Sequence, residues 1–434
     1  MKKIFANLFL LLGGKAAAGL ISLVYLFMAT HLLGAAQFGV LILVHAYATL
    51  IGSIIAFSGW HGIVRYGTIA RQEADHGRFL RLVRFMTLVE TGCGVIAILI
   101  AALLVPVAAS HLGWPPDVSR FAVPYSLAIL ATVRSTPQGI LQIAGRFDLI
   151  SAHNLINPVV RLAGCVLIWA FGGGLMAFLA VWLAASLAEW LGMWLFGLFV
   201  LGRLNLNQPL VGPLAGTVRE NAGLLPFIVT TNIDLTLGEL APKLAPLTVG
   251  WMLGPAATGI FSLAQRASNL LQQPATLLGQ ASYAVLAKDF AAGRYQIFRR
   301  MVWRSGFAAL AIACPIVLAL GFFSDRVLVL LGGHSFVGGG LLLVLMAAGR
   351  ALSLLSVSLS SGLIAAGRQY RSIIANSIGS LGMYPLLPLM ILAGGLSGAG
   401  WHALAQSAVT VAILAWLFSR MPNAEPAIVE RGLT

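Results

Sequence analysis

The sequence predicts an all-α polytopic membrane protein, and three observations carry the prediction. Of the 434 residues, 59% are hydrophobic and 9% are charged, with a mean hydropathy of +0.92, which is too apolar for an ordinary soluble domain. Apolar runs of about 20 residues, long enough to cross a hydrocarbon core of about 30 Å as a helix, recur along the chain. Stretches of the second half also resemble stretches of the first, which indicates two related halves.

Twelve membrane spans are predicted, all of them helical. The opening Met-Lys-Lys and the apolar run after it resemble a secretory signal, but this run exceeds a signal's apolar core and eleven further spans follow. We therefore interpret it as a retained first helix. The predicted spans are 6–32, 37–58, 84–108, 121–144, 149–171, 175–201, 223–252, 256–285, 302–323, 338–364, 371–393 and 397–419.

The formal net charge of +14 follows this topology and does not require a nucleic-acid partner. With the N-terminus inside the cell, the predicted cytoplasmic segments hold 19 of the 27 Lys and Arg residues, whereas the outer segments hold only Arg120 and Arg326. Cytoplasmic loops of membrane proteins are enriched in Lys and Arg in this way. Both termini are therefore predicted to be cytoplasmic, and lipid head groups suffice as acidic partners.

Three local matches in the same order predict an internal duplication. Residues 33–50 (LGAAQFGVLILVHAYATL) align with 253–270 (LGPAATGIFSLAQRASNL) at an offset of 220, and both begin with a Leu-Gly-x4-Gly turn. In the second match, IARQEADHGRF (69–79) aligns with LAKDFAAGRY (286–295), and both end in Gly-Arg-aromatic. In the third match, IAGRFDLISAHNLI (143–156) aligns with AAGRQYRSIIANSI (365–378), and both contain a Gly-Arg pair.

The duplication predicts two homologous six-helix lobes, residues 1–212 and 213–434, joined by a cytoplasmic linker at 202–222. Because six is even, both lobes enter the membrane from the same side, which gives a parallel repeat about an axis along the membrane normal.

Enzymatic chemistry has little support in the sequence. P-loop, GxSxG and HExxH patterns are absent, and the two longest outer segments, 110–120 and 323–336, each hold one acid and one histidine. A catalytic pair assembled across these segments stays open as an alternative. The three cysteines fall in separate spans without ligand-like spacing, so neither a disulfide framework nor a metal site is predicted, and no cofactor is expected.

Apart from Arg84, Arg304 and Arg371 at their cytoplasmic ends, the predicted spans hold ten charged residues, six basic and four acidic. Each costs a few kcal/mol at the bilayer centre, so each is expected to face a partner or a watery cavity. A cavity with more bases than acids would attract an anion, and Arg and Lys suit phosphate or pyrophosphate. The bases are Lys15, Arg134, Arg161, Lys243, Arg266 and Arg350, and the acids are Glu90, Glu189, Asp234 and Glu239.

Some of these charges have an alternative, structural interpretation. Glu239 and Lys243 are four residues apart with the acid first, so they could neutralise each other on one helix face. Asp234 has no such local partner. The interpretation of Arg134, Arg161 and Arg350 stays open between ion pairs within a lobe and cavity residues. We interpret Glu90 and Glu189 as structural because they lie near span ends, and His45 and His153 as helix-packing contacts.

Lys15 and Arg266 are the stronger candidates for binding. At the offset of 220, Lys15 aligns beside Asp234, so the lobes carry opposite charges at nearly equivalent positions of their first helices. Arg266 aligns with Ala46 and therefore departs from the repeat. Pro226, Pro242 and Pro246 are expected to break or bend the first helix of the second lobe, as in the discontinuous helices of transporters.

These segments resemble the polysaccharide transport branch of the multidrug/oligosaccharidyl-lipid/polysaccharide exporter superfamily. The resemblance rests on residues 11–70, with their Leu-Gly-x4-Gly turn and the closing Gly-x-Val-Arg-Tyr at 62–66, and on LGPAATGIFSLAQRASNLLQQP at 253–274. Its topology extends over essentially the whole chain. Lipid II flippases of this superfamily typically have two further helices, which are not predicted for this chain.

The resemblance implies two bundles facing a central cavity, with the first and second helices of each lobe lining it. It implies a flippase for undecaprenyl-pyrophosphate-linked O-antigen or exopolysaccharide units in the bacterial inner membrane, acting as a monomer beside a polymerase and chain-length machinery. The expected cationic cavity and mouth comprise Lys15, Arg65, Arg266, Lys243, Arg134 and Arg350, and the expected ion-coupling acids are Asp234 and Glu239. A cation-coupled multidrug exporter and a membrane polysaccharide polymerase or ligase are the alternatives.

Overall fold

The structure, a computed structural model, describes residues 2–204, 212–271, 286 and 288–421. In this part of the chain every regular element is a helix, as predicted. The helices are α1 (Lys2–Ile55), α2 (Trp60–Gln72), α3 (His76–Leu112), α4 (Pro116–Tyr125), α5 (Ser135–Ile143), α6 (Phe147–Phe171), α7 (Leu175–Arg203), α8 (Thr217–Glu220), α9 (Leu224–Asn269), α10 (Tyr295–Gly332), α11 (Gly340–Ala365), α12 (Gln369–Ser377) and α13 (Leu386–Ser419).

Three of the long helices are each interrupted at one glycine. The interruptions lie at Gly34 in α1, Gly254 in α9 and Gly395 in α13, and all three glycines have positive φ angles of 66°, 86° and 56°. Side chains with a Cβ avoid this region of backbone conformation. Each of these helices therefore supplies two consecutive segments to the fold.

The predicted spans fall on these helical segments. Eight described helices are long and apolar enough to cross a membrane. Dividing α1, α9 and α13 at their glycines yields ten of the twelve predicted spans. The other two are interrupted paths, one from α4 to α5 and one from α12 through a π turn at Ile378–Gly382 to the short first segment of α13. Residues 272–285 of the eighth span lie outside the described residues. The chain is thus a multi-pass, all-α membrane protein.

The first predicted repeat is visible in the backbone. Gly34 and Gly254, 220 residues apart, have nearly the same torsion angles, with φ/ψ of 66°/176° and 86°/176°. The third match behaves alike, because Gly145 and Gly367 both have positive φ, at 68° and 74°. In each case the amide of the following arginine donates to the carbonyl five residues earlier, at 2.9 and 2.8 Å.

The second match corresponds to a similar turn in both halves, but the structure aligns the two turns differently from the sequence. Gly77 and Gly293 were aligned by sequence, yet Gly77 lies inside α3 whereas Gly293 precedes α10 with a φ of 71°. The first-half counterpart of Gly293 is Ala74, with a φ of 55°. The amides of Asp75 and Arg294 then make the equivalent hydrogen bonds, so the Gly-Arg-aromatic alignment was wrong by three residues.

By internal contacts the chain forms two compact units, residues 1–256 and 257–434. The first unit includes the first segment of α9, whose Leu224 and Ile228 pack with Ile63, Leu82 and Met86. The two units are defined by contacts within the structure, whereas the predicted lobes are defined by the internal sequence duplication. The lobe boundary at 212/213 therefore stays a prediction.

Each unit has its own apolar core. In the first, α3, α5 and α7 pack through Phe79, Ile140 and Val200. In the second, α10, α11 and α13 pack through buried side chains that include Phe298 and Phe418, whose ring centroids are 5.9 Å apart.

The prolines of α9 do not break it as the sequence suggested. Pro242 and Pro246 lie within the helix, and Pro226 occupies its first turn, where a missing N–H is tolerated. The interruption comes instead at Gly254, immediately before Pro255. A residue that precedes proline is pushed out of the helical region, and a glycine there can adopt the positive φ.

Candidate functional site

Polar side chains join α9 to the end of α1 in the first unit. Asn232 accepts a hydrogen bond from the backbone N–H of Ser58 at 2.6 Å and donates to the Ser58 carbonyl at 3.3 Å. Further along α9, Thr236 donates to the Ser53 carbonyl at 3.3 Å and the Lys243 ammonium donates to the Ser53 hydroxyl. These hydrogen bonds hold the first segment of α9 against the end of α1 and place the Lys243 side chain in contact with α1.

The ion pair suggested by the spacing of Glu239 and Lys243 forms. Lys243 Nζ lies 2.9 Å from Glu239 Oε2, with Lys243 half-buried and 63% of the Glu239 side chain exposed. Asp234 is exposed and lies close enough to His61 of α2 to act on it electrostatically. The two α9 acids therefore have different surroundings, because one is paired with a cation on its own helix and the other is not.

Arg65 is an exposed cation on α2. Its guanidinium carbon lies 4.7 Å from the centre of the Phe227 ring on α9 and 5.5 Å from that of Tyr66. In the described part of the chain no carboxylate lies within ion-pairing distance of it. The aromatic contacts hold the stem while leaving the charge accessible.

Lys15 is the other exposed cation of the predicted set. Its neighbour Gly14 packs directly against Ser151 of α6, where any side chain would overlap the serine hydroxyl. Successive residues of a helix point about 100° apart, so Lys15 is directed away from this contact. It forms no ion pair with any described residue.

Arg134 belongs to an ion pair within the first unit. Its guanidinium donates to Glu189 of α7, whose other carboxylate oxygen accepts from Asn157 at 2.8 Å. His153 of α6 contacts the Glu189 carbonyl at 2.9 Å, a helix-packing contact as predicted. Of the two interpretations left open for Arg134, the structure shows the ion pair.

Arg161 is a buried cation that has no carboxylate partner among the described residues. It is 5% exposed, donates to the Tyr25 hydroxyl at 3.4 Å and to His45 Nε2 at 3.3 Å, and lies 4.8 Å from the Trp182 ring. Because an arginine only donates, His45 Nε2 must accept and Nδ1 must carry the proton toward the Tyr125 hydroxyl, 2.9 Å away. Aromatic faces and neutral acceptors stabilise this charge.

Arg266 and Arg350 are half-buried in the second unit, on α9 and α11. Their predicted role in the cavity stays a prediction, as does the central cavity itself.

A cleft of about 320 Å³ lies in the first unit between the end of α1 and the first segment of α9. Its lining is mostly apolar, with Asn232 and Thr236 as the polar members. Ile54 and Ile233 on its walls are half exposed.

The linker before α9 is fixed to the start of α3. Arg81 pairs with Glu220 of α8 at 2.9 Å, and Arg78 donates to Asn221 at 3.1 Å. Both arginines belong to the 19 basic residues of the predicted cytoplasmic segments, which the sequence analysis explained by membrane topology alone. Their pairing partners lie about 140 residues away, so no local pattern could have revealed them.

Comparison with known sequences gives a family match over most of the chain. The family model described as polysaccharide biosynthesis protein matches residues 28–338. The inner membrane protein YghQ of Escherichia coli (strain K12) is 32% identical over 248 residues, which cover 57% of this chain and 70% of YghQ.

Solved transporter structures share the fold. An inward-facing multidrug resistance MATE family transporter of the MOP superfamily matches with a TM-score of 0.72 at 14% identity, over 92% of this chain and 93% of that one. The lipid II flippase MurJ, in an inward closed conformation, matches with a TM-score of 0.71 at 14% identity, over 94% and 87%. At these identities the likeness shows the fold alone.

Proposed function

Because the chain belongs to the polysaccharide biosynthesis protein family, in the polysaccharide transport branch of the multidrug/oligosaccharidyl-lipid/polysaccharide exporter superfamily, we propose that it is a lipid-linked oligosaccharide flippase. Its substrate would be an O-antigen or exopolysaccharide unit on undecaprenyl pyrophosphate. The unit would pass from the cytoplasmic to the periplasmic leaflet of a bacterial inner membrane by alternating access. The role is that of a transporter, with no covalent step assigned to the chain.

The observation that carries this proposal is the pair of exposed cations in the first unit. Lys15 and Arg65 are exposed, and neither has a carboxylate partner among the described residues. Arg134 and Lys243, by contrast, are neutralised by Glu189 and Glu239. A charge left free inside a predicted span, as at Lys15, is costly unless a ligand or water meets it, and an anionic diphosphate suits Arg and Lys.

In the proposed mechanism the pyrophosphate meets Arg65 at the cytoplasmic mouth and then Lys15 and Arg266, while the polyprenyl tail stays in lipid. The membrane potential already drives an anion out of an inside-negative cell, by about 2.3 kcal/mol per charge per 100 mV. Coupling to a cation through Asp234 or Glu239 is compatible with this direction and not required by it. The sugar would then reach a polymerase and its chain-length machinery, with the flippase acting as a monomer.

Replacement of the free cations tests the proposal in cells. In a strain that lacks this protein, variants Lys15→Ala and Arg65→Ala are expected to restore much less surface polysaccharide than wild type at equal protein levels. Loss of one charge-assisted contact corresponds to roughly tenfold or more in affinity. Arg266→Ala is expected to act in the same direction.

Arg120→Ala is the matched control, because Arg120 is an exposed arginine in a predicted outer segment with only a loose contact of 3.9 Å to Asp117. It is expected to restore polysaccharide fully. Full activity of both Lys15→Ala and Arg65→Ala would remove the anion-binding argument.

A multidrug exporter is the second candidate, favoured by the fold likeness to a MATE transporter. It predicts that cells without the protein accumulate cationic dyes and keep their surface polysaccharide. The flippase predicts the reverse phenotype.

A further inference from the structure

The first segment of α9 presents two different exposed flanks. At about 100° per residue, Phe227 lies within about 20° of Asp234 around the helix. Val229 and Ile233 lie about 140° and about 100° away from Asp234. These two apolar residues are 52% and 55% exposed and line the cleft beside α1. One exposed flank of α9 is therefore apolar, whereas the other carries a charge.

The two flanks suit different surroundings. Asp234 lies within the seventh predicted span and is exposed, and its carboxylate makes no hydrogen bond or ion pair with any described residue. An unpaired charge at membrane depth is costly against lipid, so it faces water or a ligand. Exposed apolar side chains such as Val229 and Ile233 carry no such cost. The flank of Phe227 and Asp234 therefore faces an aqueous path, and the apolar flank faces lipid.

Arg65 lies on the same side of α9 as Asp234. Its guanidinium carbon is 4.7 Å from the centre of the Phe227 ring. Phe227 precedes Asp234 by seven residues, which is about 10 Å along the helix axis. His61, one turn before Arg65 on α2, lies close enough to Asp234 to act on it electrostatically. An exposed cation and an exposed acid thus follow one another along α2 and α9 without pairing.

Aromatic rings accompany these two charges. The rings of Trp60 and His61 lie with their centroids 3.4 Å apart and their planes inclined by 31°, and both side chains are half-buried. A sugar ring has an apolar face of C–H groups and a rim of hydroxyl groups. It can therefore pack against flat rings while its hydroxyl groups bond to a few polar side chains. The region around Asp234 offers both kinds of contact.

Hydrogen-bonding chemistry determines which part of a ligand suits each charge. An ionised carboxylate only accepts hydrogen bonds, and an arginine only donates them. The oxygens of a diphosphate accept, so they suit Arg65 and are repelled by Asp234. Sugar hydroxyl groups can donate, and their hydrogen bond to a charged acceptor is stronger than a bond between neutral groups.

We propose that Asp234 is a saccharide-binding residue. It accepts hydrogen bonds from the hydroxyl groups of the sugar next to the diphosphate, while Arg65 binds the diphosphate itself. The paired rings of Trp60 and His61 supply the surface against which this sugar packs. The inference rests on the proposed flippase function, and it gives Asp234 a role in substrate recognition in place of the ion coupling expected from the sequence.

Two synthetic ligands separate the sugar contact from the diphosphate contact. One is geranylgeranyl pyrophosphate, and the other is the same lipid with a single N-acetylglucosamine on its pyrophosphate. Dissociation constants of both are measured with the purified protein in detergent. Wild type is expected to bind the sugar-bearing ligand about tenfold more tightly, as one charge-assisted hydrogen bond would give. Asp234→Ala is expected to abolish this difference and to keep the affinity for the sugar-free ligand, which also shows that the variant is folded.

Three further variants serve as comparisons. Asp234→Asn is expected to keep part of the difference, because an amide oxygen still accepts from a hydroxyl group, whereas a coupling acid would lose its function. Arg65→Ala is expected to weaken the binding of both ligands by the same factor. Asp117→Ala removes an acid that is exposed in a predicted outer segment, and it is expected to change neither affinity.

The possible failures are distinguishable. Equal affinity of wild type for the two ligands, or an undiminished difference in Asp234→Ala, would overturn the role of Asp234 and leave the flippase function standing. Binding of neither ligand by wild type would contradict both. Sugar-dependent binding that requires Asp234, in a protein that does not move the lipid between leaflets, would support the saccharide site and contradict the transport function alone.

Discussion

At the scale of single residues, the first-unit cations of the predicted cavity and mouth divide into neutralised and free groups. Arg134 and Lys243 lie in ion pairs with Glu189 and Glu239, whereas Lys15 and Arg65 have no carboxylate partner in the described structure. Only the free cations are available to an anionic ligand without breaking an existing contact. We therefore expect Arg134 to support the fold and Lys15 and Arg65 to act in binding.

A paired substitution separates these roles for Arg134. Arg134→Gln alone leaves Glu189 as a partly buried, uncompensated carboxylate and is expected to cost about 1–3 kcal/mol of stability. The double variant Arg134→Gln/Glu189→Gln removes both charges and is expected to recover most of it. Thermal unfolding of the purified variants measures the difference.

Polysaccharide production by the double variant decides the interpretation. Restored production would show that Arg134 is structural. A stable double variant that produces no polysaccharide would instead indicate that Arg134 takes part in substrate binding.

The local ion pair could be predicted and the remote ones could not. Glu239 and Lys243 lie one helical turn apart, so their spacing alone suggested the contact. Arg134 and Glu189, or Arg81 and Glu220, meet only because separate helices pack, and nothing in their local sequence encodes the partner. For the same reason Glu90, interpreted as structural because it lies near a span end, gave no sign that its carboxylate would accept from the first backbone N–H groups of α5 and so cap that helix.

At the scale of helical elements, one glycine conformation separates the first and second helical segments of both predicted halves. Gly34 and Gly254 each combine positive φ with ψ of 176°, a region that is essentially restricted to glycine. The duplicated Leu-Gly-x4-Gly pattern predicted a turn at both places. The prolines predicted a break in the wrong part of α9. A helix accepts a proline in its first turn, as at Pro226, and α9 continues past Pro242 and Pro246.

Alanine at either glycine is expected to destabilise the protein by about 1–3 kcal/mol, and by similar amounts at both positions. No neighbouring atom would meet a new Cβ at Gly254, so the cost there would come from the backbone alone. Unfolding temperatures of the two variants measure the effect.

Gly92→Ala provides the control, because Gly92 lies within α3 and also has open space around it. It is expected to leave stability unchanged or to raise it by about 0.5–1 kcal/mol. Equal stability of all three variants would contradict the assigned role of the two turns.

At the scale of the whole molecule, composition and periodicity were sufficient for the fold class. Hydrophobic runs determine which segments enter a membrane, and this signal is strong because an unsatisfied backbone is not tolerated there. The interrupted path from α4 to α5 was predicted as one continuous span, since an apolar run does not reveal whether its helix is broken. Residue-level roles in the predicted cavity depend on how side chains from distant spans meet, which hydropathy does not encode.

The most direct test of the flippase function is translocation by the purified protein. Vesicles would contain the protein, a fluorescent polyprenyl-pyrophosphate oligosaccharide and an imposed membrane potential, and a membrane-impermeant quencher would report the leaflet. The flippase predicts faster exchange between leaflets than in protein-free vesicles, reduced severalfold by Arg65→Ala but not by Arg120→Ala. Exchange no faster than in protein-free vesicles, with active export of a cationic dye by the same preparation, would contradict it.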